Sequence, residues 1–123
     1  MTNRPEFTAE SVTIICSDQR RAERFYGEVL GAKPIPGGDG YGCSWFRLGA
    51  VRISLMPNAT KPVESPSIDR PGAMLWLEVS DLGEAHAFLV ERGVTILSPP
   101  NGQFMLITDP DGVVIEVWQR DPS

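Results

Sequence analysis

The second half of this chain repeats the first half, and no other feature constrains the fold as strongly. Residues Ser17 to Glu28 and Ser80 to Glu91 are identical at five of twelve positions when the sequence is shifted by 63 residues. In each half a short apolar run ends in an aspartate, and a phenylalanine follows seven residues later. A chain of 123 residues has room for two copies of such a unit and little else. The repeat therefore predicts two similar modules related by a pseudo-twofold axis, with a ligand groove between them.

Within each half the local pattern predicts the order β-α-β-β-β. Asp18 and Asp81 are typical helix N-caps, and Gly31 and Gly93 are typical residues just beyond a helix end. The predicted helices are Gln19 to Leu30 and Leu82 to Arg92, and the predicted strands are 11–17, 33–36, 42–48, 51–56, 74–80, 94–97, 103–108 and 113–119. We expect one α+β domain over residues 1–123, with module one at about 8–57, a proline-rich linker at 58–72 and module two at about 73–120.

Composition excludes several classes of function. The formal net charge is −5, and no cluster of lysine and arginine follows the pair Arg20-Arg21, so a nucleic-acid-binding surface is not expected. No apolar stretch approaches the roughly 20 residues of a membrane span, and the N-terminal residues lack the apolar run of a signal peptide. We therefore expect a cytoplasmic protein in which Cys16 and Cys43 are reduced thiols.

Strand alternation separates each predicted sheet into two faces. One face is small and aliphatic, as packing against helix residues such as Phe25 and Phe88 requires, whereas the other carries all three tryptophans of the chain. A face that combines aromatic residues with sparse polar groups is typical of a ligand pocket. The predicted ligand-binding residues are Ser11, Thr13, Trp45, Arg47, Arg52, Ser54, Met56, Met74, Trp76, Glu116 and Trp118.

The same residues have simpler interpretations. The tryptophans could belong to an ordinary core or to a dimer interface, where tryptophan is enriched. Glu116 could be exposed, or paired with Arg47 or Arg52, and Glu78 is expected at a rim or in a structural ion pair. Asp109 and Asp111 are expected to form a turn. We predict no catalytic residue from these patterns.

Two segments of the repeat resemble a known superfamily. FYGEVLG at residues 25–31 and DPDGVVIEVWQ at residues 109–119 are similar to motifs of the vicinal-oxygen-chelate group, which contains glyoxalases, bleomycin resistance proteins and extradiol dioxygenases. The resemblance covers nearly the whole chain. It implies two tandem β-α-β-β-β modules whose curved sheets surround a cleft, with the helices outside, and it implies a homodimer.

The resemblance also implies where a metal would bind, since many enzymes of this group hold a divalent ion with ligands from the first and last strand of each module. Those positions fall here on Ser11, Ser54 (within one residue), Met74 and Glu116. Only Glu116 is a good ligand for such an ion, because serine hydroxyls are weak donors and a thioether suits soft metals. No cofactor is therefore expected, and a divalent metal is disfavoured.

Three functions remain open at this point. The leading prediction is a protein of the bleomycin-resistance type that sequesters a flat, apolar or aromatic molecule without chemistry. The second is a metal-dependent lyase, isomerase or epimerase of the glyoxalase type that uses Glu116. The third is an accessory subunit whose open face binds another protein.

Overall fold

The computed structural model describes residues 3–37 and 40–121 and contains the two modules that the repeat predicts. The first module consists of β1 (Ser11–Ile15), α1 (Gln19–Glu23) with a π-helical continuation (Arg24–Val29), β2 (Lys33–Pro34), β3 (Ser44–Leu48) and β4 (Val51–Met56). The second module consists of β5 (Leu75–Val79), α2 (Leu82–Glu91), β6 (Thr95–Asn101), β7 (Phe104–Thr108) and β8 (Val114–Gln119). The predicted α+β fold is thus confirmed. The division into modules at 8–57 and 73–120 stays a prediction.

Each module has one four-stranded mixed sheet. The strand orders are β1-β4-β3-β2 and β5-β8-β7-β6, and in both sheets the first strand is parallel to its neighbour while the other pairs are antiparallel. Thr13 pairs with Ser54, and Trp76 pairs with Glu116. Because Thr13 and Trp76 are related by the 63-residue shift, Ser54 and Glu116 occupy equivalent positions in the two sheets.

The two helices begin as the sequence predicts. The Asp18 carboxylate accepts a hydrogen bond from the Arg21 backbone N–H at 3.0 Å, and the Asp81 carboxylate accepts one from the Glu84 backbone N–H at 3.0 Å. These bonds satisfy backbone donors that have no partner inside the helix. The bond from Arg21 also lowers the pKa of the Asp18 carboxyl.

The first helix differs from the prediction after Glu23, where it widens into a π-helix. The Leu30 N–H donates to the Phe25 carbonyl at 3.0 Å, which is the i→i+5 spacing of a π turn. A Cβ placed on Gly27 would lie 3.3 Å from Phe46 Cε1, so the missing side chain lets the widened turn lie directly on β3. The helix then ends before Gly31, which has a φ of +81°.

The helix-side residues of both sheets join one hydrophobic core. Leu82, Ala85 and Leu89 form the stripe of α2 that packs into it. Phe88, which we expected in this stripe, is 38% exposed and has the Arg92 guanidinium 4.5 Å from its ring centroid. The prediction for Phe88 is wrong because Leu89, one residue along the helix, occupies the core position.

Strand β6 is longer than its predicted span of 94–97. It continues through Pro99 and Pro100 to Asn101, with shifts in its pairing register to β7. Proline cannot donate to a strand ladder, but β6 is the edge strand of its sheet, so one side of it needs no donors.

The proline-rich linker is attached to the turn between β7 and β8. The Val63 N–H donates to the Asp111 carbonyl at 2.8 Å. Gly112 in that turn has a φ of +86°, and a Cβ there would lie 3.0 Å from Val63 Cβ. Glycine is therefore required at 112 both by the backbone conformation and by the contact with the linker. Within the described residues, no helix has the length and apolar character needed to cross a bilayer.

Candidate functional site

Strand pairing places the three tryptophans on the sheet faces that point away from the helices. In the second sheet Trp76 pairs with Glu116, and Trp118 pairs with Glu78 on one side and Phe104 on the other. In the first sheet Trp45 pairs with Ser54. We call this side of each sheet its tryptophan face.

Three rings form a cluster on the tryptophan face of the second sheet. Phe104 stacks on Trp118 with ring centroids 5.3 Å apart and planes at 21°, and Trp76 meets Trp118 edge to face at 5.6 Å and 69°. Trp76 is 62% exposed. This aromatic cluster (Trp76, Phe104 and Trp118) therefore presents a large apolar ring to its surroundings without being part of the core.

Two polar groups within or beside the aromatic cluster lack partners in the part of the chain that the structure describes. The Trp118 indole nitrogen Nε1 is buried and has no hydrogen-bond partner among the described residues. Glu116 is half-buried, and no described residue donates a hydrogen bond to its carboxylate or forms an ion pair with it. A buried donor without an acceptor costs about 1–3 kcal/mol, so the Trp118 indole is unusual among the buried polar groups described.

Glu78, the other acid on this face, has a different environment. Its carboxylate lies 3.5 Å from Arg120 Nε, and both side chains are more than half exposed. This is the structural ion pair that the sequence led us to expect, and such an exposed pair contributes little to stability.

The tryptophan face of the first sheet is more polar. The Arg52 guanidinium lies 5.0 Å from the Trp45 ring centroid, which is a cation–π contact. Ser54 is 1% exposed, and its hydroxyl shares a 2.8 Å hydrogen bond with the Thr13 hydroxyl. Arg52 also pairs with Ser11 and Arg47 on the neighbouring strands.

A groove of about 730 Å³ lies between the two modules. Residues 48–51 of the first module and strand β5 with α2 of the second line it, and the exposed Phe88 ring is among its walls. Of the predicted ligand-binding residues, the groove brings together Met74 and Trp76. The others stand on the two tryptophan faces, outside the described lining of this groove: Ser11, Thr13, Trp45, Arg47, Arg52, Ser54, Met56, Glu116 and Trp118.

The positions that the resemblance implies for a metal do not fit a divalent ion. The Ser54 hydroxyl is engaged by Thr13, and Ser11 and Met74 are exposed residues with weak or soft donors. Among residues 3–37 and 40–121 no group of three or more His, Cys, Asp or Glu side chains is placed to hold a metal. A divalent ion needs several nitrogen or oxygen donors, and of these four positions Glu116 alone supplies a good one.

The turn at 109–112 does more than reverse the chain. Asp109 accepts hydrogen bonds from the Tyr26 hydroxyl at 2.8 Å and from the backbone N–H groups of Asp111 and Val113 at 2.9 Å each. Asp111 accepts from the backbone N–H of Ser17 at 3.1 Å and from the Ser17 hydroxyl. These two buried carboxylates join module two to module one, a role beyond the turn formation that we predicted.

Burial changes the pKa values of groups at this seam, the junction of the two modules around Asp109 and Asp111. It raises the pKa of the Asp109 carboxyl above its ordinary value, although the three hydrogen bonds oppose the change. Burial, together with the nearby Asp109 charge, also raises the pKa of the Tyr26 hydroxyl, which therefore stays protonated as a donor. The Cys16 thiol is buried beside the same carboxylates, and its pKa is raised, so it is a poor nucleophile.

Sequence reasoning missed Phe104 as a member of the site. The signal was present, because alternation along β7 puts Phe104 on the same face as its partner Trp118. The lack of a hydrogen-bond acceptor for the Trp118 indole among the described residues could not be predicted from the sequence, since it depends on which side chains surround the ring.

A sequence profile of the Glyoxalase/Bleomycin resistance protein/Dioxygenase superfamily matches residues 8–117. The chain belongs to this superfamily. No curated protein matches the chain in sequence. The resemblance expected from residues 25–31 and 109–119 is confirmed.

Solved structures support the same fold. A superfamily member from Sphaerobacter thermophilus DSM 20745 is 25% identical, with a TM-score of 0.70 over 93% of this chain and 98% of that chain. The fosfomycin resistance protein FosX from Mesorhizobium loti is 15% identical, with a TM-score of 0.72 over 93% of this chain and 92% of that chain. TioX from Micromonospora sp. ML1 is 18% identical, with a TM-score of 0.65 over 91% of this chain and 98% of that chain. At 15% and 18% identity, the last two comparisons show a shared fold alone.

Proposed function

We propose that this protein binds and sequesters a flat, apolar or aromatic small molecule at its aromatic cluster. The observation that carries the proposal is the exposed Trp76 ring beside Trp118, whose buried indole N–H has no acceptor among residues 3–37 and 40–121. Each aromatic stack contributes roughly 0.5–1.5 kcal/mol beyond area burial, so a few stacks and one hydrogen bond support micromolar binding.

Sequestration requires no chemistry, and this agrees with the side chains present. The buried thiol of Cys16 has a raised pKa, and the carboxylates of Asp109 and Asp111 are occupied by the module seam.

We also propose that the protein works as a homodimer with the groove at or near its interface. Strands β1 and β5 are edge strands with one unpaired side each, and the adjacent groove exposes Val12, Trp76 and Phe88. Unpaired edges and exposed apolar patches of this kind are usually covered by a partner.

One observation favours the glyoxalase-type lyase or isomerase as a second candidate. Glu116 is the single good donor among the metal positions that the superfamily implies, and it has no partner among the described residues. In this case the missing donors would have to come from outside the described chain.

A thermal-shift screen with planar aromatic compounds and divalent metals tests the proposal. Sequestration predicts that planar aromatics raise the melting temperature and quench tryptophan fluorescence, because ligands that bind only the native state stabilise it. A response to metals without one to aromatics would favour the enzyme instead. A response to neither would contradict both and favour a surface that binds another protein.

A further inference from the structure

The charges on the tryptophan face of the second sheet do not balance. Strands β5 and β8 place two acids there, Glu78 and Glu116, and the base that follows on the same side is Arg120. Arg120 is already 3.5 Å from Glu78, so Glu116 is left without a counter-charge among the described residues of this face.

Glu116 is also set among aromatic rings. It pairs with Trp76 on one side and with Leu106 on the other, and Trp118 follows two residues later on the same face. A half-buried carboxylate in apolar surroundings is desolvated without compensation unless a cation approaches it. The faces of neighbouring tryptophan rings attract the same kind of charge.

Arginines of the first sheet are the alternative source of a counter-charge. Arg52 is held over the Trp45 ring at 5.0 Å, and Arg47 is exposed on β3. In the described part of the chain, neither forms an ion pair with Glu116. Arg52 also already has an aromatic partner of its own.

We infer that the molecule bound at the aromatic cluster carries a protonated nitrogen, which Glu116 neutralises while the rings of Trp76 and Trp118 contact its flat body. This inference rests on the proposed function, because it names the chemical class of the ligand at that same site. The protein is then selective for cationic aromatic compounds over neutral and anionic compounds of equal shape.

Three probes that share one flat ring system test the inference: 2-naphthylmethylamine, 2-naphthylmethanol and 2-naphthoate, titrated at pH 7 by calorimetry. The amine should bind about tenfold more tightly than the alcohol, as a charge-assisted contact in a half-buried site allows, and the carboxylate should bind most weakly. Added salt should reduce the advantage of the amine.

Glu116→Gln is the decisive variant, and Glu78→Gln is its matched control on the same face. In Glu116→Gln the amine and the alcohol should bind within about twofold of each other, because the amide has no charge with which to favour the amine. Glu78→Gln should keep the preference for the amine. The salt dependence in the unmodified protein gives a second readout that needs no variant.

The outcomes separate this inference from the proposed function. Equal binding of amine and alcohol, or a preference that survives Glu116→Gln, would overturn the inference and leave aromatic sequestration standing. Tighter binding of the carboxylate would overturn it too and would indicate that an arginine controls the site. If none of the three probes binds, the result would contradict both the proposed function and the inference that rests on it.

Discussion

At the scale of single residues, two buried carboxylates have partners, whereas the half-buried carboxylate of Glu116 has none among the described residues. Asp109 receives three hydrogen bonds and Asp111 receives bonds from Ser17, so both are explained by the seam between the modules. Glu116 receives none from the described residues. The contrast indicates that Asp109 and Asp111 are structural, whereas the binding of a ligand by Glu116 stays a proposal.

The raised pKa of Asp109 predicts a specific pH dependence of stability. In the folded state the carboxyl binds its proton more tightly than the unfolded value of 3.8, so protonation favours folding. As the pH falls from neutral through the folded pKa towards 3.8, the wild type should gain stability relative to Asp109→Asn. Urea unfolding of both proteins across this range measures the difference. A wild type that loses stability relative to the variant as the pH falls would contradict the assignment.

At the scale of elements, caps and pairing explain where the secondary structure lies. Both helices begin at an aspartate whose carboxylate accepts from a backbone N–H three residues later, and such local bonds are readable from sequence. The π-helical turn at Arg24–Val29 was not predictable in this way, because it depends on the contact between Gly27 and Phe46. Strand β6 was underestimated because two prolines are tolerated only at a sheet edge, and its edge position is a property of the whole sheet.

The caps predict a measurable loss when one is removed. Asp81→Ala should lower the free energy of unfolding by about 1 kcal/mol, because the Glu84 N–H loses its acceptor, whereas Asp81→Asn should change it little. Asp69→Ala is the matched control, since Asp69 is exposed in the linker and bonds locally to Ser67. Urea unfolding is the measurement. Equal effects of Asp81→Ala and Asp69→Ala would contradict a capping role.

At the scale of the whole molecule, the repeat predicted the two modules, and strand alternation predicted their tryptophan faces. Neither pattern predicts the contacts between the modules. Tyr26 and Asp109 are 83 residues apart, and Ser17 and Asp111 are 94 residues apart. Alternation along β7 could have added Phe104 to the candidate site. The groove is lined by Trp76, whereas Trp45 is outside its described lining. This separation of the two tryptophan faces could not be predicted, because it depends on how the modules dock.

The proposed dimer gives a prediction about mass. Light scattering at micromolar concentration should give twice the chain mass of 13.5 kDa. Phe88→Glu, which places a charge in the groove, should shift the protein towards the monomer, because burying an unpaired carboxylate is costly. Val90→Glu is the control, since Val90 is exposed on the same helix and is outside the described lining of the groove. A monomeric wild type, or equal effects of both variants, would contradict the proposal.

The claim that the aromatic cluster binds ligand is tested most directly by calorimetry of Trp76→Ala with a planar aromatic compound that the wild type binds. Because Trp76 is 62% exposed, the variant should fold normally, and its binding should be weaker by about 1–3 kcal/mol. Ile68→Ala, at an exposed apolar residue of the linker, should leave the affinity unchanged. A Trp76→Ala protein that binds as tightly as the wild type, or that unfolds, would contradict the account.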